Sequence, residues 1–418
     1  MYCGSCLHEN TLAAALLELG EEIVLVPVYT PLRTDEPNVS GRRVYFGGIN
    51  VTLQQRWSLF RRTPHWLDRW LDHPALLGRL AGRASSVDPA RLGQLTVSML
   101  RGEAGHQCKE LEKLVAWLQA EVRPEVVHLS NALLLGMART IAVRCGTPVV
   151  CSLAGEDLFL EQLAEPYYQQ ARELLRERAA EIDAFVAMNH YYANSMAEYL
   201  AVDRARVEVI PPGLRLEGHA FRAEKPTGAP RRIGFLARVC PAKGLHVLVE
   251  ACERLALRQE VPAFELHAAG YLGQADRNYL KQLEQQTATG PLAGRFFYHG
   301  ELSRPKKLEF LQSLDLFSTP TVYPESKGLP LLEALANGVP VVVPRHGAFP
   351  ELIEQTGGGL LCEPENSADL AEELALLLSH TDQAEDLGRA GRHAVHQQYG
   401  SQTMAQSTLA LYRRLVGG

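Results

Sequence analysis

The sequence predicts an α/β protein with two facing Rossmann-like, doubly wound domains. With 418 residues, the chain exceeds what one hydrophobic core usually supports. Short runs rich in β-branched residues alternate with longer helical stretches, which is typical of parallel sheets built from βαβ units. This alternation stops at one polar stretch and then restarts, so two such units are expected in succession.

The first predicted domain covers residues 1–216. A helix is expected at 9–20, with leucines on one face and Gly20 as its C-terminal stop. IVLVPV (23–28) is predicted to be a buried strand. Further elements follow in chain order: strands at 126–130, 148–153, 184–188 and 207–213, and helices at 108–122 and 164–182.

Residues 217–232 are rich in Gly, Pro and Arg and have no periodicity, so they are the predicted linker. The second domain is expected at 233–398, and 399–418 is expected to form an amphipathic helix that crosses back to the first domain. Its predicted elements are a helix from about Leu245 and strands at 232–238, 264–270, 295–300, 314–320 and 339–344. Ligands of such sheets bind outside the carboxyl ends of the strands, which predicts a site in a cleft between the domains.

The helix at 9–20 follows Met1 almost directly. In a doubly wound domain, a helix in this place is normally preceded by a central strand. We therefore predict that the first strand of the N-terminal domain is missing because translation was assigned to an internal Met. A domain built with one strand fewer is the alternative. An in-frame stop codon directly upstream of Met1 would contradict the prediction.

Composition and charge exclude several classes of protein. Hydrophobic residues make up 46% of the chain and charged residues 22%, which are ordinary values for a globular protein. The formal net charge of -6 provides no basic field, so nucleic acid is not an expected partner. Neither a signal peptide nor an apolar run of ~20 residues is visible, and the eight cysteines are scattered. A cytoplasmic location is therefore expected.

The segment between Pro320 and Glu351 carries the strongest local signal. Glu325 and Glu333 are separated by seven residues. The first is expected in the loop after a strand, and the second in a helix that begins near Leu329. Because a carboxylate accepts two hydrogen bonds side by side, each suits the paired hydroxyls of a ribose or a sugar ring.

Glycine and positive charge accompany these carboxylates. Gly328 allows the backbone to approach a ligand closely, and amides at the start of the following helix attract phosphate. Upstream, Arg238 and Lys243 lie around the turn after a strand, where two cations can neutralise a diphosphate. Taken singly, each pattern is common on solvated surfaces, and that interpretation applies to most isolated instances.

Together and in this order, the patterns resemble one family, the retaining glycosyltransferases of group 1 with the glycosyltransferase-B (GT-B) fold. The family's R-x4-K-G turn corresponds to 238–244, and its glutamate–seven residues–glutamate motif to 325–333. Its A-x-A-x-G-x-P-V-V segment corresponds to 334–342, and its G-G-x-P-E element appears as GAFPE at 347–351. The resemblance is strong over about 231–415, and the first domain matches in layout.

The resemblance implies a transferase that moves a sugar from a nucleotide-diphosphate donor to a sugar, lipid or polysaccharide acceptor. It further implies retention of the anomeric configuration without a metal or another cofactor. Arg238 and Lys243 would hold the diphosphate, Glu333 the ribose hydroxyls and Glu325 the hydroxyls of the donor sugar. The implied catalytic residues are thus Glu325, Arg238 and Lys243. The remaining implied donor contacts are Gly4 in the first loop, Gly300, Glu301 and Leu302 at the nucleobase, and the amides of Gly328 and Leu329.

Three positions depart from the family pattern. Lys327 stands where an aromatic residue is most frequent, and Ser130 and Ala154 stand where many members have histidines. Three polar residues near these strand ends are candidates for contacts with acceptor hydroxyls: Asn131, Glu156 and Asp157. Capping of the next helices by the same residues is the equally weighted alternative.

Two features stay open. Cys3 and Cys6 match C-x-x-C, but no second pair or thioredoxin-like context accompanies them. Residues 54–83 hold three of the four tryptophans, with six arginines and two aspartates. They predict either a helical subdomain with a tryptophan core or a contact to the acceptor or to an anionic membrane surface. The second interpretation would make the protein peripheral on the inner membrane face.

Two alternatives to a transferase remain: a non-catalytic nucleotide-sugar-binding partner protein, and a sugar-nucleotide epimerase of the same fold. The missing first strand and the absent histidines favour an inactive partner. The retained glutamates and the Arg238/Lys243 pair favour a transferase. The sequence leaves the nucleobase, the donor sugar, the acceptor and the oligomeric state open.

Overall fold

The computed structural model describes residues 4–29, 32, 34–41, 44–46, 89–221 and 228–417. The chain divides into two compact units, each with a parallel sheet. The six-stranded unit comprises Met1–Thr11, Thr34–Glu36 and Pro211–Met404. The four-stranded unit comprises Leu12–Arg33, Pro37–Ile210 and Ala405–Gly418. The units thus divide at 210/211 and 404/405, whereas the predicted domain limits lie at 216 and 399.

The four-stranded unit has the strand order β1–β2–β3–β4, and every described pair is parallel. Val127 lies opposite Val149, and Phe185 lies opposite Val207. All residues of β2 and β3 are buried, as expected for central strands covered on both faces. These strands confirm four of the predicted ones: Val127–Leu129 (β1), Val149–Ser152 (β2), Ala184–Ala187 (β3) and Val207–Val209 (β4).

The helices around this sheet follow the predicted alternation. Their bounds are Pro89–Leu100 (α2), Cys108–Trp117 (α3), Ala138–Cys145 (α4), Glu156–Leu160 (α5), Tyr167–Ala179 (α6) and His190–Leu200 (α7). Two further helices each contain residues of both units: Gly4–Glu18 (α1) and Ser401–Gly417 (α15).

The predicted strand at 23–28 is wrong. Val28 forms an isolated bridge with Tyr45, and the rest of the segment joins no ladder among the described residues. A β-branched run becomes a strand only where a neighbouring strand completes its hydrogen bonds. Here the segment makes isolated hydrogen bonds instead. For example, the Gly41 amide donates to the Leu25 carbonyl at 2.8 Å. The missing first strand of this domain stays a prediction.

Helix α1 begins at Gly4, earlier than the predicted start at residue 9. No proline or β-branched residue stands at 4–8 to oppose helix formation. Gly4 therefore lies within α1, and its expected position in a preceding loop is wrong. Gly20 has φ 89°, which agrees with its predicted role as the stop.

The six-stranded unit has the strand order β10–β9–β8–β5–β6–β7 with parallel pairing. Its strands are Arg231–Leu236 (β5), Phe264–Ala269 (β6), Phe296–Tyr298 (β7), Leu316–Phe317 (β8), Val341–Pro344 (β9) and Gly359–Cys362 (β10). The first five confirm predicted strands, and β10 was not predicted. Its helices are Leu245–Ala256 (α8), Arg277–Ala288 (α9), Arg304–Gln312 (α10), Leu329–Ala336 (α11), Phe349–Thr356 (α12), Ser367–Ser379 (α13) and Thr381–Gln398 (α14).

Hydrophobic residues cover both faces of the six-stranded sheet. Ile233 and Phe235 belong to one buried cluster, whereas Leu236 belongs to a second. This division follows from the alternation of side chains along a strand. Both faces are therefore covered, and the carboxyl ends of the strands are the place for polar function. Within the described ranges, no helix is long and apolar enough to cross a membrane.

Candidate functional site

Two loops of the six-stranded unit meet at the carboxyl ends of β5 and β8, which are neighbours in the sheet. The amide of Val322 donates to the carbonyl of Ala242 at 3.0 Å and ties the loops together. Gly244 has φ 74°, and a Cβ there would lie 1.7 Å from the carbonyl oxygen of Pro320. Only glycine permits this approach, so packing requires glycine at the last position of the R-x4-K-G turn.

Lys243 and Glu325 form an ion pair across these two loops. The Lys243 Nζ atom lies 2.6 Å from Oε2 of Glu325 and also donates to the Tyr323 hydroxyl. The other oxygen, Oε1, accepts the backbone amides of Ser326 and Lys327 at 3.2 Å each. The Tyr323 hydroxyl also donates to Oε2, at 3.2 Å, so four groups hold one buried carboxylate in a single orientation.

The electrostatics of this pair favour its charged form. Burial alone would raise the pKa of Glu325, but the neighbouring Lys243 ammonium outweighs burial and lowers that pKa to about 2. Burial would likewise lower the pKa of Lys243, and Glu325 instead raises it above its ordinary value. Burial and the same carboxylate raise the pKa of Tyr323 to about 12. Glu325 is therefore ionised and acts as a hydrogen-bond acceptor.

The GAFPE element packs directly on the Glu325 loop. The Ala348 amide donates to the Glu325 carbonyl at 2.7 Å. Gly347 has φ 61°, and a Cβ there would lie 2.4 Å from the Glu325 amide nitrogen. Both the conformation and the contact require glycine.

Helix α11 begins directly after this loop. Gly328 is its N-cap with φ 69°, and Leu329 is its first residue. A Cβ on Gly4 would lie 3.7 Å from Leu329 Cδ1, and the Lys327 Nζ donates to the Ser5 hydroxyl at 2.7 Å. The starts of α1 and α11 are thus adjacent in this unit, which brings Gly4, Gly328 and Leu329 together.

Arg238 follows β5 and is half-exposed. Its Nη2 atom donates to Oδ2 of Asp276 at 2.9 Å. This hydrogen bond is the main cause of the raised pKa of Arg238. The contact uses one side of a guanidinium that has five N–H donors, so further donors remain for a ligand.

The ribose candidate Glu333 lies on α11 and is buried. Its Oε1 is 2.5 Å from the Nζ of Lys307, whose ammonium also lies 2.6 Å from Oδ2 of Asp35. Neither Lys307 nor Asp35 was predicted from the sequence. No motif marks them, since they belong to segments far apart in the chain.

The three nucleobase candidates follow β7, the edge strand. Gly300 has φ 70°, and its carbonyl accepts the Gly270 amide at 2.8 Å. Leu302 packs against a buried hydrophobic cluster, whereas Glu301 is exposed. They lie on the same side of the sheet as Arg238, because the carboxyl ends of parallel strands all lie on one side.

The acceptor-side candidates lie in the four-stranded unit and make local hydrogen bonds. The Asn131 side chain accepts the Leu133 amide at 3.0 Å. Glu156 accepts the amides of Ala132 and Ala154, at 2.8 and 2.5 Å. These bonds show that both side chains hold loop backbone in place. In addition, the Tyr192 hydroxyl donates to Oδ1 of Asp157 at 2.6 Å. Their role towards an acceptor stays a prediction.

Two sequence features lie outside the described residues: Cys3 of the C-x-x-C pattern and the Trp/Arg-rich segment 54–83. Cys6 lies in α1 and is half-buried. Within the described part of the chain, no group of three or more His, Cys, Asp or Glu residues is arranged to hold a metal ion.

Comparison with known families decides the assignment of the chain. Residues 219–394 match the family described as glycosyl transferases group 1, and residues 93–217 match glycosyltransferase family 4. The chain belongs to the group 1 glycosyltransferases. The resemblance found from the motifs is thereby confirmed.

Individual relatives of this glycosyltransferase agree with the family match. Glycogen synthase of Mycobacterium tuberculosis is 26% identical over 315 residues, which cover 74% of this chain and 72% of the relative. D-inositol 3-phosphate glycosyltransferase of Segniliparus rotundus is 25% identical over 369 residues, with coverage of 83% and 76%. These relatives bear different names, so they support a glycosyltransferase without indicating its substrates.

A solved structure supports the fold. The crystal structure of Anabaena Alr3699/HepE in complex with UDP aligns with a TM-score of 0.66 and 18% identity. The alignment covers 94% of this chain and 100% of HepE. The predicted fold class, two parallel-sheet α/β domains of the GT-B type, is confirmed by this similarity.

Proposed function

We propose that this glycosyltransferase moves a sugar from a nucleotide-diphosphate donor to a hydroxyl acceptor, with retention of configuration and without a metal or other cofactor. The observation that carries the proposal is the ionised Glu325, held by Lys243 and two backbone amides beside the turn that carries Arg238. A fixed, buried carboxylate suits the hydroxyls of a donor sugar. The adjacent cations suit its diphosphate.

The charges of the site match those that develop in the reaction. As the bond between the anomeric carbon and the diphosphate breaks, negative charge grows on the leaving oxygen. Arg238, Lys243 and the amides at the start of α11 offset that charge. The acceptor hydroxyl attacks from the same face, its oxygen bonds to the anomeric carbon, and its proton passes to the departing diphosphate. The side chains thus supply the role that a metal would otherwise have.

The remaining parts of the donor have candidate contacts in the same unit. Glu333 would accept the ribose hydroxyls, and Gly300 to Leu302 would meet the nucleobase at the carboxyl end of β7. HepE was crystallised with UDP and also with UDP-glucose, which favours uracil as the first base to test. The acceptor is proposed only as a sugar, a lipid or a polysaccharide.

A thermal-shift screen with UDP, GDP, ADP and dTDP tests the donor site. A nucleotide that binds the folded state at 100 times its Kd stabilises it by about 2.7 kcal/mol. We expect one nucleotide to stabilise the wild type but not Arg238→Ala/Lys243→Ala. Arg389→Ala, which removes an exposed ion pair of α14, is the matched control and should respond like the wild type. If no nucleotide stabilises the wild type, the donor assignment fails.

Turnover separates the transferase from the two alternatives. Incubation with the matching nucleotide sugar should release nucleoside diphosphate, either by transfer to an added acceptor or by slow hydrolysis. Binding without release would indicate a non-catalytic partner protein. Conversion to an epimeric nucleotide sugar, in which the sugar is still bonded to the diphosphate, would indicate an epimerase.

We also propose a cytoplasmic location with peripheral contact to the inner membrane face through residues 54–83. Arginines beside tryptophans favour anionic headgroups. Co-sedimentation with anionic vesicles should weaken when Arg56, Arg61 and Arg62 are replaced together by Ser. Unchanged co-sedimentation would contradict this contact.

A further inference from the structure

Lys307 stands between two buried carboxylates of the six-stranded unit. Its Nζ atom lies 2.5 Å from Oε1 of Glu333 and 2.6 Å from Oδ2 of Asp35. The exposed fractions of these side chains are 9% for Lys307, 8% for Glu333 and 1% for Asp35. Burial would lower the pKa of Lys307, but the two carboxylates raise it above its ordinary value, so the ammonium stays charged.

The ion pair between Arg304 and Glu36 fixes the segment that carries Asp35. Arg304 lies three positions before Lys307 on α10, so both side chains project from one face of the helix. The Nη1 atom of Arg304 lies 2.8 Å from Oε1 of Glu36. The Nη2 atom of Arg304 donates to the carbonyls of Arg215 and Glu217 at 2.9 and 2.8 Å. Asp35 is thereby held at one place beside Lys307.

Glu333 lines a small cavity, whereas Lys307 and Asp35 do not. A small cavity in this unit is lined by Glu333 together with Leu329, Thr11, Glu36 and Arg304. Lys307 and Asp35 are absent from the lining among the described residues. A ligand in the cavity would therefore lie against Glu333, while Lys307, which does not line the cavity, contacts the Glu333 carboxylate.

We propose that Lys307 is a positioning residue for the ribose of the donor. By binding Oε1 of Glu333, it fixes the carboxylate and leaves Oε2 to accept a ribose hydroxyl. The negative charge of the Glu333 carboxylate suits a neutral diol that donates hydrogen bonds. The same charge disfavours a nucleotide whose ribose carries a phosphate. This inference rests on the proposed function, in which Glu333 binds the ribose.

The test compares ribose with deoxyribose in the same protein. Dissociation constants are measured by calorimetry for UDP, GDP and ADP and for their 2′-deoxy counterparts. The ratio of the two constants for the base that binds reports the hydroxyl contact and is insensitive to a general loss of affinity. A hydroxyl bonded to a carboxylate should make this ratio about 10 to 100 in the wild type.

Three variants separate positioning from a general effect of charge. Lys307→Gln should reduce the ratio to below about 3, because Glu333 then loses its fixed orientation. Lys307→Arg keeps the charge and should restore most of the ratio. Asp35→Asn removes a charge from the same buried cluster but leaves the Lys307–Glu333 contact, so it should keep the wild-type ratio. If Lys307→Gln does not fold, Lys307→Gln/Asp35→Asn, which buries fewer charges, carries the same expectation.

The outcomes distinguish this inference from the proposed function. A wild-type ratio retained in Lys307→Gln, or lost equally in Asp35→Asn, overturns the role of Lys307 and leaves the donor site intact. A wild type that binds no nucleotide, or that binds both sugars equally, overturns the donor or ribose assignment itself and this inference with it.

Discussion

The ammonium of Lys243 lies 2.6 Å from Oε2 of Glu325 and joins the turn after β5 to the loop after β8. Removing one partner of such a pair leaves a buried charge without its counterion, which costs about 3–5 kcal/mol. We therefore expect Lys243→Met to lower the melting temperature of the six-stranded unit by roughly 6–20 °C, at about 2–4 °C for each kcal/mol.

Calorimetry of the ligand-free protein tests this expectation. The double variant Lys243→Met/Glu325→Gln removes both charges and should recover much of the loss. Lys281→Met, which replaces an exposed lysine on α9, should leave the melting temperature nearly unchanged. A Lys243→Met protein as stable as the wild type would show that the pair contributes nothing to the fold.

The same pair predicts a dependence of stability on pH. Burial would raise the pKa of Glu325, but Lys243 lowers it from 4.5 to about 2 in the folded protein. As pH falls, the unfolded chain binds this proton first, so the contribution of Glu325 is complete above pH 4.5 and is lost towards pH 2.

Melting temperatures of the wild type and of Glu325→Gln, measured from about pH 6 to about pH 3, isolate this effect from the other titrating carboxylates. The advantage of the wild type should shrink across that range, because a protonated Glu325 resembles glutamine. A difference that stays constant would mean that Glu325 titrates normally in the folded state.

Gly347 offers a test of the contact between the GAFPE element and the Glu325 loop. A Cβ at residue 347 would lie 2.4 and 2.5 Å from the Glu325 amide nitrogen and carbonyl oxygen. Backbone atoms in a packed loop cannot move aside cheaply, so Gly347→Ala should displace Glu325. We expect nucleotide binding to weaken tenfold or more, the equivalent of about 1.4 kcal/mol.

Gly357→Ala is the matched control. Gly357 has φ 58°, close to the 61° of Gly347, but a Cβ there meets only the Ala390 Cβ, at 3.8 Å. Both variants carry the left-handed strain of about 1–2 kcal/mol, and only Gly347→Ala adds the clash. Equal losses of nucleotide affinity in the two variants would refute a specific contact with Glu325.

Much of the fold could be predicted because parallel strands are buried on both faces. Such strands, β9 among them, are continuous hydrophobic runs rather than an alternation of apolar and polar residues. Their length and the turns on either side identify them as strands. The segment 23–28 has the same composition but no partner strand among the described residues, and composition alone does not supply a partner. Strand β10 was missed because its sequence, GLLC, has no β-branched residue and follows two further glycines.

The site divides in a similar way. The placement of Arg238, Lys243 and Glu325 at neighbouring strand ends could be predicted because these residues follow two strands in a spaced motif. Lys307 and Asp35 could not, because their contact with Glu333 exists only after distant segments have packed together. The start of α1 was misplaced for a local reason: residues 4–8 contain no proline or β-branched residue to oppose the helix, so it includes Gly4.

Arg238 differs from Lys243 in being half-exposed, and its pair with Asp276 should contribute little to stability. Exposed ion pairs contribute about 0–1 kcal/mol, so Asp276→Ala should leave the melting temperature and the nucleotide affinity nearly unchanged. Arg238→Ala should weaken diphosphate binding tenfold or more, since a charged hydrogen bond contributes about 1.5–3 kcal/mol.

Titrations at low and high salt add a second criterion, because loss of a phosphate-binding cation flattens the salt dependence of the affinity. If Asp276→Ala weakens binding as much as Arg238→Ala, then Arg238 acts only when Asp276 holds it, and its proposed independent hold on the diphosphate is wrong.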